Sequence, residues 1–283
     1  MASHAQTSTA VTKPSSADSA ADLAVDEAPR RWALDELLAN RRWVRRTRPV
    51  PHVYARNVFT HDFYRGLHEQ FQRIEREQPE VFQRNMEGYD ASGTTVKRFA
   101  DGPLGVFVSR EWHDLIARVA NVPSATGDVN AALHHHEPGS ASGWPHNDLN
   151  PAWFAGPPPG PDDVRLEGTD GVDIVSGKGP DGVPARESIR AVSLLFYLGN
   201  PDWEPGDGGE TGLFGDTTTA TSGPDTAVPP INNSMMFFEC TPRSWHTFIS
   251  NRTKPRNSVV MWLHRAKEEA VERWGDQSIE YWH

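Results

Sequence analysis

The chain has 283 residues, 37% hydrophobic and 10% aromatic, enough to bury one sizeable core and incompatible with a collagen, coiled-coil or wholly disordered chain. Its 28 basic and 38 acidic residues give a net charge of -10, with no Lys/Arg block beyond Arg41 to Arg48, which argues against a nucleic-acid or anionic-membrane partner. The single cysteine, Cys240, rules out an intrachain disulfide and a Cys-based zinc cage; no apolar run nears the roughly 20 residues of a membrane span and no secretory layout opens the chain, so a cytoplasmic protein is expected.

Residues 1–28 are Ala, Ser, Thr and Asp with almost no large apolar side chains, so a disordered tail is predicted there, ahead of one domain over 29–283. Trp32, Leu34, Leu37 and Leu38 fall at helical spacing. A second helix starts at Thr60-His-Asp-Phe, carries Phe63, Leu67, Phe71 and Ile74, and stops before Pro79. A third follows Ser109, with Trp112, Leu115, Ile116 and Val119 on one side, which makes 29–127 a helical support. From Asp128 the chain breaks into short strand-like runs between Gly, Pro and Asn, the pattern of an antiparallel barrel or sandwich. The runs are Val129–His136, Ile189–Leu198, Thr211–Phe214, Ser234–Glu239, Trp245–Ile249 and Asn257–His264. Between Ala155 and Ser188 lie 34 residues with 7 Gly and 6 Pro, a loop insertion whose length suggests a lid over a substrate. A last helix, Lys267 to Trp274, lies in the C-terminal segment 265–283.

His146-Asn-Asp148 would, on a strand, point an imidazole and a carboxylate at one place, since residues i and i+2 share a face. With 12 His in the chain, about one such pair arises by chance, so the pair needs a third member. Ser244-Trp-His246-Thr-Phe supplies a His in a short apolar strand, which would complete a two-His-one-carboxylate facial triad. Ten residues on, Arg256-Asn-Ser258 precedes the apolar run Val259 to Trp262. A guanidinium entering a barrel interior needs an anion, which a bound dicarboxylate would provide.

In this order, His146, Asp148, His246 and Arg256 resemble the iron(II)- and 2-oxoglutarate-dependent oxygenases, and the likeness is nearest to the prolyl-hydroxylase-like branch. Arg190-Ala-Val-Ser-Leu-Leu-Phe-Tyr197-Leu-Gly-Asn200 looks like that branch's strand ending in Tyr-Leu-Asn, Gly208-Gly-Glu-Thr211 like its Gly-Gly strand, and Trp262 also matches. The likeness spans Val129 to His264. It implies a mainly β fold, a double-stranded β-helix (jelly-roll, cupin-like) core over 128–264 with flanking N-terminal helices. It further implies His146, Asp148 and His246 as iron ligands, and Arg256, helped by Tyr197 and Ser258, as the anchor of the distal carboxylate of 2-oxoglutarate. His136 stands where the branch commonly has a tyrosine facing the cosubstrate. Such an enzyme uses Fe(II), 2-oxoglutarate and O2, hydroxylates an unactivated C–H bond and releases succinate and CO2. Asp148 argues against halogenation, because halogenases of the superfamily have Gly or Ala at that position.

His134-His-His136-Glu is a rival metal site, but on a strand His134 and His136 face away from His135. Trp144, Trp153 and Phe154 flank the metal motif and are candidate substrate contacts. The expected substrate is a small molecule, amino-acid-derived or a specialised (secondary) metabolite, an association suggested by the arginine bias of a GC-rich gene. The alternatives are a protein or peptide side-chain hydroxylase of the same chemistry and a non-catalytic metal-binding cupin-like barrel.

Overall fold

The computed structural model describes residues 32–84 and 89–281, so the tail expected over 1–28 lies outside the described residues. In chain order the elements are α1 (Leu34–Leu37), β1 (Val44–Arg46), β2 (His52–Arg56), α2 (His61–Glu77), β3 (Gln83–Arg84), β4 (Ser92–Thr95), α3 (Arg110–Ala120), β5 (Thr126–His136), β6 (Pro151–Ala155), β7 (Arg165–Leu166), β8 (Ala185–Tyr197), β9 (Thr211–Leu213), β10 (Thr226–Val228), β11 (Ser234–Glu239), β12 (His246–Phe248), β13 (Arg256–Ala266) and α4 (Lys267–Trp274). Among the described residues no helix is long and apolar enough to cross a membrane.

The local signals explain where the longer helices start and stop. Ser109 Oγ accepts the Trp112 N–H at 3.2 Å to cap α3, and Asn121 at φ +64° ends it in the left-handed conformation. α2 stops before Gln78-Pro79, where the proline ring disfavours helical backbone in the preceding residue. Leu67, Phe71 and Ile74 of α2 and Trp112 and Ile116 of α3 are buried. α1 is only one turn, shorter than the spacing of its apolar residues suggests.

A large sheet runs β1-β2-β11-β8-β13-β5-β4-β3, with β6 paired to β8 and β7 to β5, and a small sheet runs β10-β9-β12. Strand alternation splits the large sheet into two apolar faces. Leu194, Phe196, Met235, Phe237, Val259 and Met261 pack with α2 and α3. Leu195, Tyr197, Met236, Phe238, Val260 and Trp262 face inward and share a second core with Leu213 and Val228 of the small sheet. Two facing antiparallel sheets with helices outside one of them make a double-stranded β-helix, the fold class expected.

Two expectations are corrected. The N-terminal support is not purely helical: β1 to β4 extend the large sheet at both ends, and the exposed Arg45 and Arg46 occupy its outermost strand, where charge discourages edge pairing. The insertion is also more ordered than its Gly and Pro content suggests. β6 and β8 pair from Pro151↔Ile189 to Ala155↔Ala185, β7 lies parallel to β5 at Asp128 and Val129, and Val172 is buried. Arg186 Nη2 also donates to both carboxylate oxygens of buried Asp128, at 2.8 and 2.7 Å, fixing the root of the insertion.

Candidate functional site

His146 and His246 exchange backbone hydrogen bonds of 3.0 and 2.8 Å, which sets their rings 4.2 Å apart between the sheets. Each Nδ1 lies 3.0 Å from a backbone carbonyl two residues upstream, Trp144 for His146 and Ser244 for His246. A carbonyl can only accept, so each Nδ1 is the donor to it, which turns Nε2 toward the interior as the nitrogen available to a metal. Both Nε2 atoms point at Asp148, 3.6 Å from Oδ1 and 3.6 Å from Oδ2. Ligand atoms of the three residues lie within 4.8 Å of one another, and no other such group of three occurs among the described residues.

The pair His146 and Asp148 does not converge through strand alternation. Asp148 is not in a strand: its φ of +59° is a left-handed backbone rarely adopted by residues other than glycine, and this turn swings the carboxylate back toward His146. Burial, then the neighbouring His246, pushes the His146 pKa down to about 4, so the ring is neutral near pH 7. Burial alone would raise Asp148, but Arg190 and the two imidazoles outweigh it and hold the carboxyl well below the usual range.

Further along the lumen, Arg256 is 3% exposed and has no carboxylate in reach among the described residues. Its Nη1 donates to Ser258 Oγ at 3.0 Å and its Nη2 to Thr211 Oγ1 at 3.1 Å. Its guanidinium lies over the Tyr197 ring at 5.2 Å and the Phe248 ring at 5.6 Å, and Nε has no partner. Directly across in the strand register is His136, fully buried, stacked on Phe248 at 3.8 Å, with neither ring nitrogen hydrogen-bonded. Burial, then Arg256, pushes its pKa down to about 2.

His134 shares this face opposite Ser258, whereas His135 points the other way, to Asn257 Oδ1 at 2.6 Å. The His134 to Glu137 run therefore does not gather three ligands. Trp144 sits beside the triad, 42% exposed, with the Tyr89 ring edge-on to it at 6.0 Å. Trp153 and Phe154 do not reach the site, because β6 runs away from Asp148 at roughly 3.3 Å per residue. Trp153 is aligned with Glu187 and covers Gly177 of the insertion; Phe154 is 1% exposed, edge-on to His264 at 4.8 Å. The insertion starts from this far end, and its strand β7 is anchored beside Asp128 and Val129.

Tyr89 is the residue that sequence reasoning missed. Its ring is edge-on to His136 at 5.5 Å and to Trp144 at 6.0 Å, so it links the residue opposite Arg256 to the residue beside the triad. A lone tyrosine in Glu87-Gly-Tyr-Asp90 carries no periodic signal that could have revealed this.

A profile of the 2OG-Fe(II) oxygenase superfamily matches residues 184–264, from the start of β8 to near the end of β13. Over this stretch the chain is similar to the core of the 2OG-Fe(II) oxygenases. It is an enzyme of the non-haem iron dioxygenase kind, whose cofactor and cosubstrates are Fe(II), 2-oxoglutarate and O2. Its fold is similar to that of a prolyl-4-hydroxylase from Pseudomonas putida, with 15% identity, a TM-score of 0.51, and coverage of 76% of this chain and 92% of the other. It is also similar to a prolyl hydroxylase of Trichoplax adhaerens solved with a hypoxia inducible factor peptide, with 14% identity, a TM-score of 0.51, and coverage of 78% and 86%. No curated protein matches the chain. At these identities the likeness concerns the fold, and the oxygenase's substrate has to be argued from the site.

Proposed function

We propose that this oxygenase, one domain over 29–283, hydroxylates an unactivated C–H bond of a small molecule, with His146, Asp148 and His246 holding the iron and Arg256 holding 2-oxoglutarate. The observation that carries this reading is the buried Arg256 with no anionic partner, in the same lumen as three converging ligand atoms. Leaving a guanidinium unpaired in such a place is costly, and a carboxylate relieves the cost. The donor set suits a divalent metal: two imidazoles turn their Nε2 atoms inward from one side and a carboxylate supplies charge, the arrangement of non-haem iron sites. When bound, iron and 2-oxoglutarate couple oxidative decarboxylation, with release of succinate and CO2, to oxidation of a nearby C–H bond.

The remaining work belongs to the protein. Arg256, Ser258 and Tyr197 orient a carboxylate at one end of the lumen, and His136 offers a neutral ring beside it. Phe238, Phe248 and Trp262 exclude water from the triad. Trp144 and Tyr89 form the mouth and touch the substrate. A second reading, oxidation of a protein or peptide side chain, draws on one observation: an open groove lined by Arg84, Ser92, His135 and Glu137 runs along the β3–β4 edge beside Tyr89. Succinate release across amino acids, peptides and natural-product scaffolds separates the two. The small-molecule reading expects substrate-stimulated succinate with a low-molecular-weight scaffold; stimulation by peptides alone would overturn it.

A further inference from the structure

Asp148 is held by two side chains whose hydrogen bonds to it the reading above leaves unused. Arg190 Nη1 donates to Oδ1 at 2.9 Å, and Trp262 Nε1 donates to Oδ2 at 2.7 Å. The two donors are themselves stacked, the Arg190 guanidinium lying 4.1 Å from the centre of the Trp262 ring. They come from adjacent strands, β8 and β13, whose register slips just here: Leu263 pairs with Val192 but His264 with Arg190. That irregularity turns Arg190 to the lumen face beside Trp262, whereas unbroken alternation from Ser193 would turn it outward. Each carboxylate oxygen thus has one donor and one imidazole: Oδ1 meets Arg190 and His146, Oδ2 meets Trp262 and His246. The left-handed backbone of Asp148 needs such an external hold, because the residue gains nothing from regular secondary structure.

We propose that Arg190 and Trp262 are a stacked pair of positioning residues: Trp262 fixes the orientation in which Asp148 meets both imidazoles, and Arg190 is the internal ion-pair partner that holds this carboxylate in its buried place before a metal arrives. The inference rests on the metal reading of the triad. The two roles separate by chemistry. Losing the indole N–H loosens the ligand and touches no charge, so it shows in metal affinity. Losing the guanidinium leaves a buried carboxylate, 3% exposed, without its cation, so it shows in the metal-free protein and is offset once a divalent ion takes its place. Removing the hydrogen-bonding partners of metal ligands typically weakens binding by about 10–100-fold.

Co(II) titration followed by its visible absorption, together with melting of the metal-free and Co(II)-saturated protein, tests both roles. Trp262→Phe, which keeps an aromatic ring under Arg190, is expected to raise the Co(II) Kd by about tenfold or more. Arg190→Met is expected to lower the metal-free melting temperature and to show a larger rise on Co(II) saturation than the unmodified protein; Arg190→Lys should recover part of the loss. Wild-type affinity in Trp262→Phe overturns the positioning role, and equal metal-induced shifts in Arg190→Met and the unmodified protein overturn the ion-pair role. If the unmodified protein binds Co(II) no better than Asp148→Ala, the metal reading of the triad falls, and the pair's purpose with it.

Discussion

Arg256 shows how one residue's surroundings define its ligand. Two hydroxyls accept one hydrogen bond each and two aromatic faces pack against it, but none carries a negative charge. On the proposed reading, Arg256→Leu is expected to remove a charge-assisted contact to the keto acid, worth roughly 2–5 kcal/mol when the partner stays buried. At that size the apparent affinity for 2-oxoglutarate falls on the order of thirtyfold or more, as read from the cosubstrate dependence of succinate formation, while Co(II) binding at the triad is unchanged. Normal 2-oxoglutarate dependence in this variant would show that another group anchors the cosubstrate. Arg190 is not a ready substitute, because its guanidinium is committed to Asp148.

At the scale of elements, β8 connects the chemistry to the support. Its inward residues include Arg190 and Tyr197; its outward Phe196 is fully buried and meets Phe59 at 5.4 Å, Tyr64 at 6.4 Å and Phe107 at 5.1 Å. Truncating such a ring loses both transfer energy and packing, so Phe196→Ala is expected to cost about 3–5 kcal/mol in chemical denaturation. A loss below about 1 kcal/mol would mean that the helical layer can separate from the sheet without penalty. These contacts also explain why strands were hard to read before residue 120. β2 holds its place by pairing with β11, some 180 residues away, and the alternation over His52 to Arg56 spans too few residues to mark a strand by itself.

For the molecule as a whole, pH sensitivity is built into the lumen. Burial pushes the pKa of His134 to about 4, of His136 to about 2 and of His264 to about 3, all below the usual value of 6.5. The unfolded chain binds protons at these sites from about pH 6.5 downward and the folded chain does not. Stability is therefore retained above pH 6.5 and lost as pH falls from there toward 4, each imidazole contributing at most about 1.4 kcal/mol per pH unit. Urea midpoints of the metal-free protein should fall steadily between pH 7 and 5. A flat profile would mean that these rings accept protons in the folded state.

Local signals alone carried a large part of this architecture. Ser234–Glu239 and Lys267–Trp274 appear with the bounds their patterns suggest, the other core strands differ by a few residues, and α2 and α3 start at the predicted positions. Alternation, caps and prolines act between near neighbours, which is why they are legible. The same holds for the residue types His146, Asp148, His246 and Arg256, whose chemistry stands out against apolar or Gly-rich surroundings. What needed the tertiary structure was every relation between distant segments. The left-handed turn at Asp148, the register slip that brings Arg190 onto Trp262, the approach of Tyr89 to His136 and Trp144, and the turning of Trp153 and Phe154 away from the site all depend on strands that pair across tens of residues. Side-chain direction reverses with a single residue of register, and register is set by the partner strand, which no local pattern contains.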